Sequence, residues 1–186
     1  MDNGASSYRR FREEDDESGL AEIIRDYKDG LIFYLNSILN DLNAAEDAAE
    51  DTFVILGTRK PRDKGTGSFK TWLYTIGRNV VIDRMRKQSR KREVPVAEYP
   101  EIAADEEAFE TAFIRDERKM TVHHAMRRLK PEYRQVLWLV YFEEFSNREA
   151  ARVLKKSTHN VETLLYRARK ALKAELEKEG FTYEEL

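Results

Sequence analysis

Phe145 to Lys173 reads FSNREAARVLKKSTHNVETLLYRARKALK, and the two helices in it set the fold class. Ser146 stands three residues before Glu149, the capping-box spacing in which each side chain satisfies an orphan N–H at a helix start. Ala150, Ala151, Val153 and Leu154 give the short helix that follows an apolar side. Lys155 and Lys156 interrupt the pattern, and Ser157 or Thr158 can cap a second helix. In that helix Val161, Leu164, Leu165, Ala168 and Leu172 recur at helical spacing and form one buried stripe. His159, Thr163, Tyr166, Arg167 and Lys170 point the other way. A short helix, a tight turn and a longer amphipathic helix with a basic outer face is the helix-turn-helix plan. Its second helix reads base edges in the major groove while cations meet phosphates on the flanks. By spacing alone, an ordinary helical hairpin with solvated lysines fits equally well.

Upstream, Pro131 suits the first position of another helix, lined by Val136, Leu137, Val140 and Tyr141. A ragged apolar pattern from Phe109 to Met126 predicts one more helix before it. In the first half of the chain, Leu20 to Leu39 holds helical spacing with Gly30 as a weak point inside. Asn43 and Glu46 repeat the capping-box spacing ahead of a second helix, whose outer face carries Glu46, Asp47, Glu50 and Asp51. RKPRDKGTGS at 59–68 reads as a basic loop. Ser68 can cap a helix from Phe69 to about Lys91, with Phe69, Trp72, Leu73, Ile76 and Val80 as its stripe and Lys70, Tyr74 and Arg78 on the opposite face. Residues 1–19 lack apolar periodicity and read as a flexible tail. The expected class is all-α: small helical domains over 20–92 and 112–180, joined by an acidic linker over 93–111.

The charge pattern supports that division. Net charge is −2, yet the charges fall in blocks. Residues 84–92 hold six bases and no acid, and residues 93–117 hold nine acids and one base. A basic block is an electrostatic footprint for nucleic acid whatever the total charge. The chain has no cysteine, which excludes disulfides and thiolate metal sites. The start of the chain lacks the apolar core of a signal peptide and no apolar run reaches membrane length. The expectation is a protein of the cytoplasm without membrane insertion. His123 and His124 diverge on a helix, so no metal site is read there. Without a phosphate loop, metal-ligand spacing or nucleophile arrangement, no enzyme, catalytic residue or cofactor is expected.

Three stretches, in order, resemble the extracytoplasmic-function sigma factors of bacterial RNA polymerase. AEDAAEDTF at 45–53 is similar to the acidic helix that docks on the polymerase clamp, which implies that role for Asp47, Glu50 and Asp51. GSFKTWLYTIGRNVVIDRMRK at 67–87 resembles the helix that recognises and melts the −10 element, implying contacts from Lys70, Trp72, Tyr74, Arg78 and Asn79, with Lys64 in the loop before it. LKPEYRQVLWLVYFEEFSNREAARVLKKSTHNVETLLYRARKALK at 129–173 resembles the −35-binding domain, implying contacts from His159, Thr163, Tyr166, Arg167 and Lys170. The implied partners are core RNA polymerase, promoter DNA and an anti-sigma factor. Two positions depart from the family pattern. Lys155 and Lys156 occupy a turn where Gly and an apolar residue are common, and Glu162 stands where a basic cluster is usual. A one-component helix-turn-helix regulator would bind operator DNA tightly without polymerase and would leave 45–53 and 67–87 without a role.

Overall fold

A computed structural model describes residues 3–63, 65, 67–91 and 117–180. Every regular element among them is helical. The N-terminal half comprises α1 (Asn3–Glu13), α2 (Glu17–Leu39), α3 (Leu42–Arg59) and α4 (Phe69–Lys91). The C-terminal half comprises α5 (Glu117–Arg127), α6 (Pro131–Leu137) with a π-helical continuation (Trp138–Phe142), α7 (Asn147–Leu154) and α8 (Thr158–Lys178).

The expected tail is a packed helix over much of its length. In α1, Tyr8 and Phe11 are buried, the Ser7 hydroxyl donates to Glu22 (2.6 Å), and Arg10 pairs with Asp16 and Glu22. Gly19 lets the two backbones meet, because a Cβ there would collide with the carbonyl of Ser7. Two large apolar residues three positions apart are too few to register as a period, and tertiary packing supplies the stability that local propensity lacks. The Asp16 side chain caps α2 by accepting from Ser18 N (3.0 Å). Asp41, rather than the expected Asn43, caps α3 by accepting from Ala44 N (3.0 Å). Ser68 caps α4 as the spacing predicts, accepting from Thr71 N (3.2 Å).

The Ser146–Glu149 capping box forms in full, with Ser146 N donating to Glu149 Oε2 (3.0 Å) and Glu149 N to Ser146 Oγ (3.3 Å). Ser157 caps α8, accepting from Asn160 N (3.1 Å). Lys155 ends α7 in the left-handed region (φ 54°). That is the backbone state that favours Gly, so Lys155 holds it at some conformational cost.

The two halves share one continuous core. Ile32 and Phe33 of α2 are buried, and the Phe33 ring lies 6.1 Å from the Trp138 ring of the C-terminal half. Arg134 of α6 is buried across the junction. Its Nε donates to the Ser37 carbonyl of α2 (2.9 Å), and its Nη1 donates to the carbonyls of Leu129 (2.7 Å) and Arg127 (3.1 Å). The guanidinium thereby satisfies carbonyls that the end of α5 leaves open. The expected linker at 93–111 and the expected helix start near Phe109 lie outside the described residues.

Candidate nucleic-acid and polymerase interfaces

On α8 the apolar stripe divides from the polar face as its spacing requires. Val161, Leu165 and Ala168 are buried, while Leu164 and Leu172 pack partly against the core. His159, Tyr166, Arg167 and Lys170 are exposed, and Thr163 is half-buried. Lys170 Nζ lies 5.7 Å from the Tyr166 ring centroid, so the face carries a cation and an aromatic side by side. Tyr166 is 59 % exposed.

Asp47, Glu50 and Asp51 are all exposed on α3. Val54, one further turn along, is 58 % exposed, which extends the acidic face with an apolar end. Sequence reasoning missed Val54, although positions 47, 50, 51 and 54 follow one face by spacing alone. It also missed Arg84 of α4, whose Nε donates to Asp51 Oδ2 (3.0 Å) and whose Nη2 donates to the Asp47 carbonyl (3.0 Å). No local pattern signals a pair thirty-three residues apart. Asp51 is therefore the one member of the trio whose carboxylate is engaged by a cation within the described residues.

The α4 residues do not lie on an open face. Tyr74 is fully buried, stacked on Tyr34 (centroids 5.4 Å, planes 27° apart) and edge-on to Phe145 (5.3 Å). Burial, and then the charge of Glu143, push its phenol well above the ordinary tyrosine range. Lys70 is half-buried, with Nζ 2.9 Å from Glu143 Oε2 and donating to the Glu143 carbonyl (2.9 Å). Arg78 Nε donates to Gln135 Oε1 (3.3 Å). The expectation of an outward face at 70, 74 and 78 is corrected, because a helix packed on two sides has no wholly solvated face. The amphipathic reading assigned only the side toward α2 and α3. Asn79 is half-buried. Trp72 packs between Tyr8 (5.1 Å) and Phe69 (5.6 Å), so the N-terminal helix shields it. That helix also holds the start of the 59–68 loop, through Tyr8 Oη donating to the Pro61 carbonyl (2.6 Å) and Arg12 Nε donating to the Lys60 carbonyl (3.3 Å), and Asp15, in the turn after the helix, pairs with Lys60. Lys64 lies outside the described residues.

The Glu149 carboxyl links the halves again. Burial would raise its pKa, but hydrogen bonds from Ser146, Ser68 and Thr71 outweigh that and hold it below the usual carboxylate range. Ser68 Oγ donates to Glu149 Oε1 (3.2 Å). No group of three or more His, Cys, Asp or Glu with metal-binding geometry occurs among the described residues. No helix among them is long and apolar enough to cross a membrane.

A helical pair whose second helix exposes a basic and aromatic face, joined to a bundle with an exposed acidic face, has the arrangement of a helix-turn-helix DNA-binding protein. Residues 23–91 match the family described as Sigma-70 region 2, and residues 119–172 match Sigma-70, region 4. The chain is 31 % identical over 169 residues to the ECF RNA polymerase sigma factor SigW of Bacillus subtilis, covering 87 % of this chain and 90 % of SigW. It is 29 % identical to SigM of the same organism, covering 82 % and 92 %. The fold resembles that of a sigma factor RpoE solved with the anti-sigma factor NepR from Bartonella quintana, at TM-score 0.63 and 21 % identity over 88 % of this chain and 98 % of that one. The chain belongs to the extracytoplasmic-function sigma factors, which contain sigma-70 regions 2 and 4. It is a non-enzymatic factor that directs promoter-specific transcription initiation by RNA polymerase.

Proposed function

We propose that the division of labour follows the faces. The α8 face (His159, Thr163, Tyr166, Arg167, Lys170) binds the −35 element. The α3 face (Asp47, Glu50, Asp51) docks on the polymerase clamp. The α4 region (Lys64, Lys70, Trp72, Tyr74, Arg78, Asn79) binds and opens the −10 element once the C-terminal half has moved off it. The observation that carries the reading is the α8 face, where exposed Tyr166, Arg167 and Lys170 stand opposite the buried Val161, Leu165 and Ala168.

An anti-sigma factor is a further partner in this reading, supported by the likeness in fold to the RpoE solved with NepR. Function in the cytoplasm follows, since core polymerase and promoter DNA are there.

Arg167→Ala with Lys170→Ala tests the assignment. Removing two cations from the phosphates should lower the magnitude of the log–log salt slope on −35 duplex DNA by about 1.8. Transcription by reconstituted holoenzyme should fall with it, and helicity should not change because neither residue is in the stripe. An unchanged slope and unchanged affinity with normal helicity would remove α8 from DNA.

A further inference from the structure

Lys60 and Pro61, where α3 gives way to the loop before α4, carry a backbone that the local sequence opposes. Lys60 lies in the left-handed region (φ 40°, ψ 52°). Residues with a side chain avoid that region, and a residue before proline is driven toward extended backbone. Such a conformation persists only where the surroundings over-determine it. Here α1 and the turn after it do so. Arg12 Nε donates to the Lys60 carbonyl (3.3 Å) and Tyr8 Oη to the Pro61 carbonyl (2.6 Å), so two successive carbonyls turn toward α1. The Lys60 ammonium pairs with Asp15, itself left-handed (φ 50°), and lies 4.8 Å from the Phe11 ring centroid. Burial pushes the Tyr8 phenol up to about 12, so it remains a donor through neutral pH.

The same tyrosine reaches the start of α4. Its ring lies 5.1 Å from that of Trp72 and 5.6 Å from that of Phe69, so one side chain spans from Trp72 to the loop. For packing alone, phenylalanine would fill this place as well. Lys60 and Pro61 are only half-buried, where water can satisfy a carbonyl. The two donors of α1 therefore fix the loop rather than rescue it. Arg62 follows the held carbonyls directly. It is exposed and makes no side-chain hydrogen bond or ion pair among the described residues. Its neighbour Asp63 does not neutralise it, because Asp63 Oδ1 accepts from Gly65 N (2.9 Å) and closes a turn of its own. An unpaired guanidinium on a fixed backbone suits a phosphate, which it can meet with two parallel bonds.

We infer that Tyr8 and Arg12 of α1 are positioning residues, which hold the loop backbone so that Arg62 meets a phosphate of the opened DNA strand beside Trp72. The inference rests on the reading of the α4 region as the strand-binding surface. Holding the loop before the strand arrives removes part of the ordering cost of binding.

Holoenzyme reconstituted from the full chain and core RNA polymerase supplies the test. The probe is a fluorescein-labelled duplex with a randomised unpaired segment, and a fully paired duplex of the same length is the control. Anisotropy follows binding across a range of salt, with core polymerase alone as background. Arg62→Ala should weaken bubble binding about fivefold and lower the magnitude of the log–log salt slope by about 0.7, the value of one single-strand phosphate. Tyr8→Phe keeps the ring and every charge, and should weaken bubble binding about threefold through the cost of ordering the freed loop. Arg12→Met, which keeps the aliphatic stem, should also weaken it. In the Arg62→Ala background neither should add a further loss, since both act through Arg62. Binding to the paired duplex and helicity should not change.

If Arg62→Ala leaves bubble binding and slope unchanged while Lys70→Ala with Arg78→Ala weakens binding, α4 holds the strand without the loop and the inference falls alone. If Arg62→Ala weakens binding but Tyr8→Phe and Arg12→Met do not, Arg62 meets the phosphate unaided and the positioning role is refuted. A Tyr8→Phe loss that persists at full size with Arg62 removed, or that appears equally on the paired duplex, would make Tyr8 structural and overturn the inference. If Lys70→Ala with Arg78→Ala has no effect either, the reading of α4 falls and takes this inference with it. Should Tyr8→Phe lose helicity, Arg12→Met paired with Arg62→Ala decides by itself.

Discussion

Arg134→Met should loosen the whole molecule, because one buried side chain ties three segments. Arg134 is 8 % exposed and its partners are all main-chain carbonyls, at Ser37, Leu129 and Arg127. Bonds from a charged donor are worth about 1.5–3 kcal/mol each, so three give about 4–9 kcal/mol. Desolvation opposes them. Burial, with the Arg127 charge behind it, pulls the Arg134 pKa from 12.5 down to about 10, which corresponds to roughly 3 kcal/mol. Methionine fills similar space and carries no charge to desolvate, so it recovers that term while losing the bonds. The net loss is about 3 kcal/mol, and for a chain of this length it lowers Tm by about 6–12 °C. Thermal unfolding followed by far-ultraviolet circular dichroism reads it directly. Arg134→Lys keeps the charge but loses the planar fork, and should fall between wild type and Met. A Met variant within about 2 °C of wild type would refute the reasoning and show that desolvation cancels the bonds.

Three other outcomes are expected. Asp47→Lys with Glu50→Lys should abolish co-purification with core polymerase by setting like charges against the clamp; Asp51 is left alone because Arg84 engages it, so normal recovery at wild-type helicity would remove the docking role. Burial, then Arg127 and His124, lower the His123 pKa from 6.5 to about 4. The unfolded chain therefore binds a proton between those values that the folded chain refuses. Stability is full above about pH 6.5 and falls as pH drops toward 4, by about 2 kcal/mol at pH 5. His123→Gln should flatten the difference in urea midpoint between about pH 7.5 and about pH 5. Lys155→Gly should raise stability by about 0.5–1 kcal/mol, because the left-handed turn at φ 54° suits Gly; a fall in urea midpoint would show that the Lys155 side chain contributes more than its backbone costs.

The sequence alone was enough for whatever depends on near neighbours. The Ser146–Glu149 box, the Ser157 and Ser68 caps, Pro131 at a helix start and the division of α8 into buried and exposed faces all follow from short spacings. Such spacings report helix geometry directly, since side chains three and four apart share a face. The acidic run on α3 was legible for the same reason. Tertiary structure decided everything that needs two distant segments. Helix α1 exists on the strength of Tyr8 and Phe11 packing against α2 and α4, which no period of two residues announces. Tyr74 read as outward because α4 was judged against one partner, and the second, 69 residues away through Glu143, buried it. Gly30 read as a weak point in α2 until the Glu143 carboxylate took the space beside it. A helix pattern records how many faces are apolar but not which other segment covers each one. A face that pairs by hydrogen bonds and charge, as 70, 74 and 78 do, looks the same in sequence as a face bathed in water.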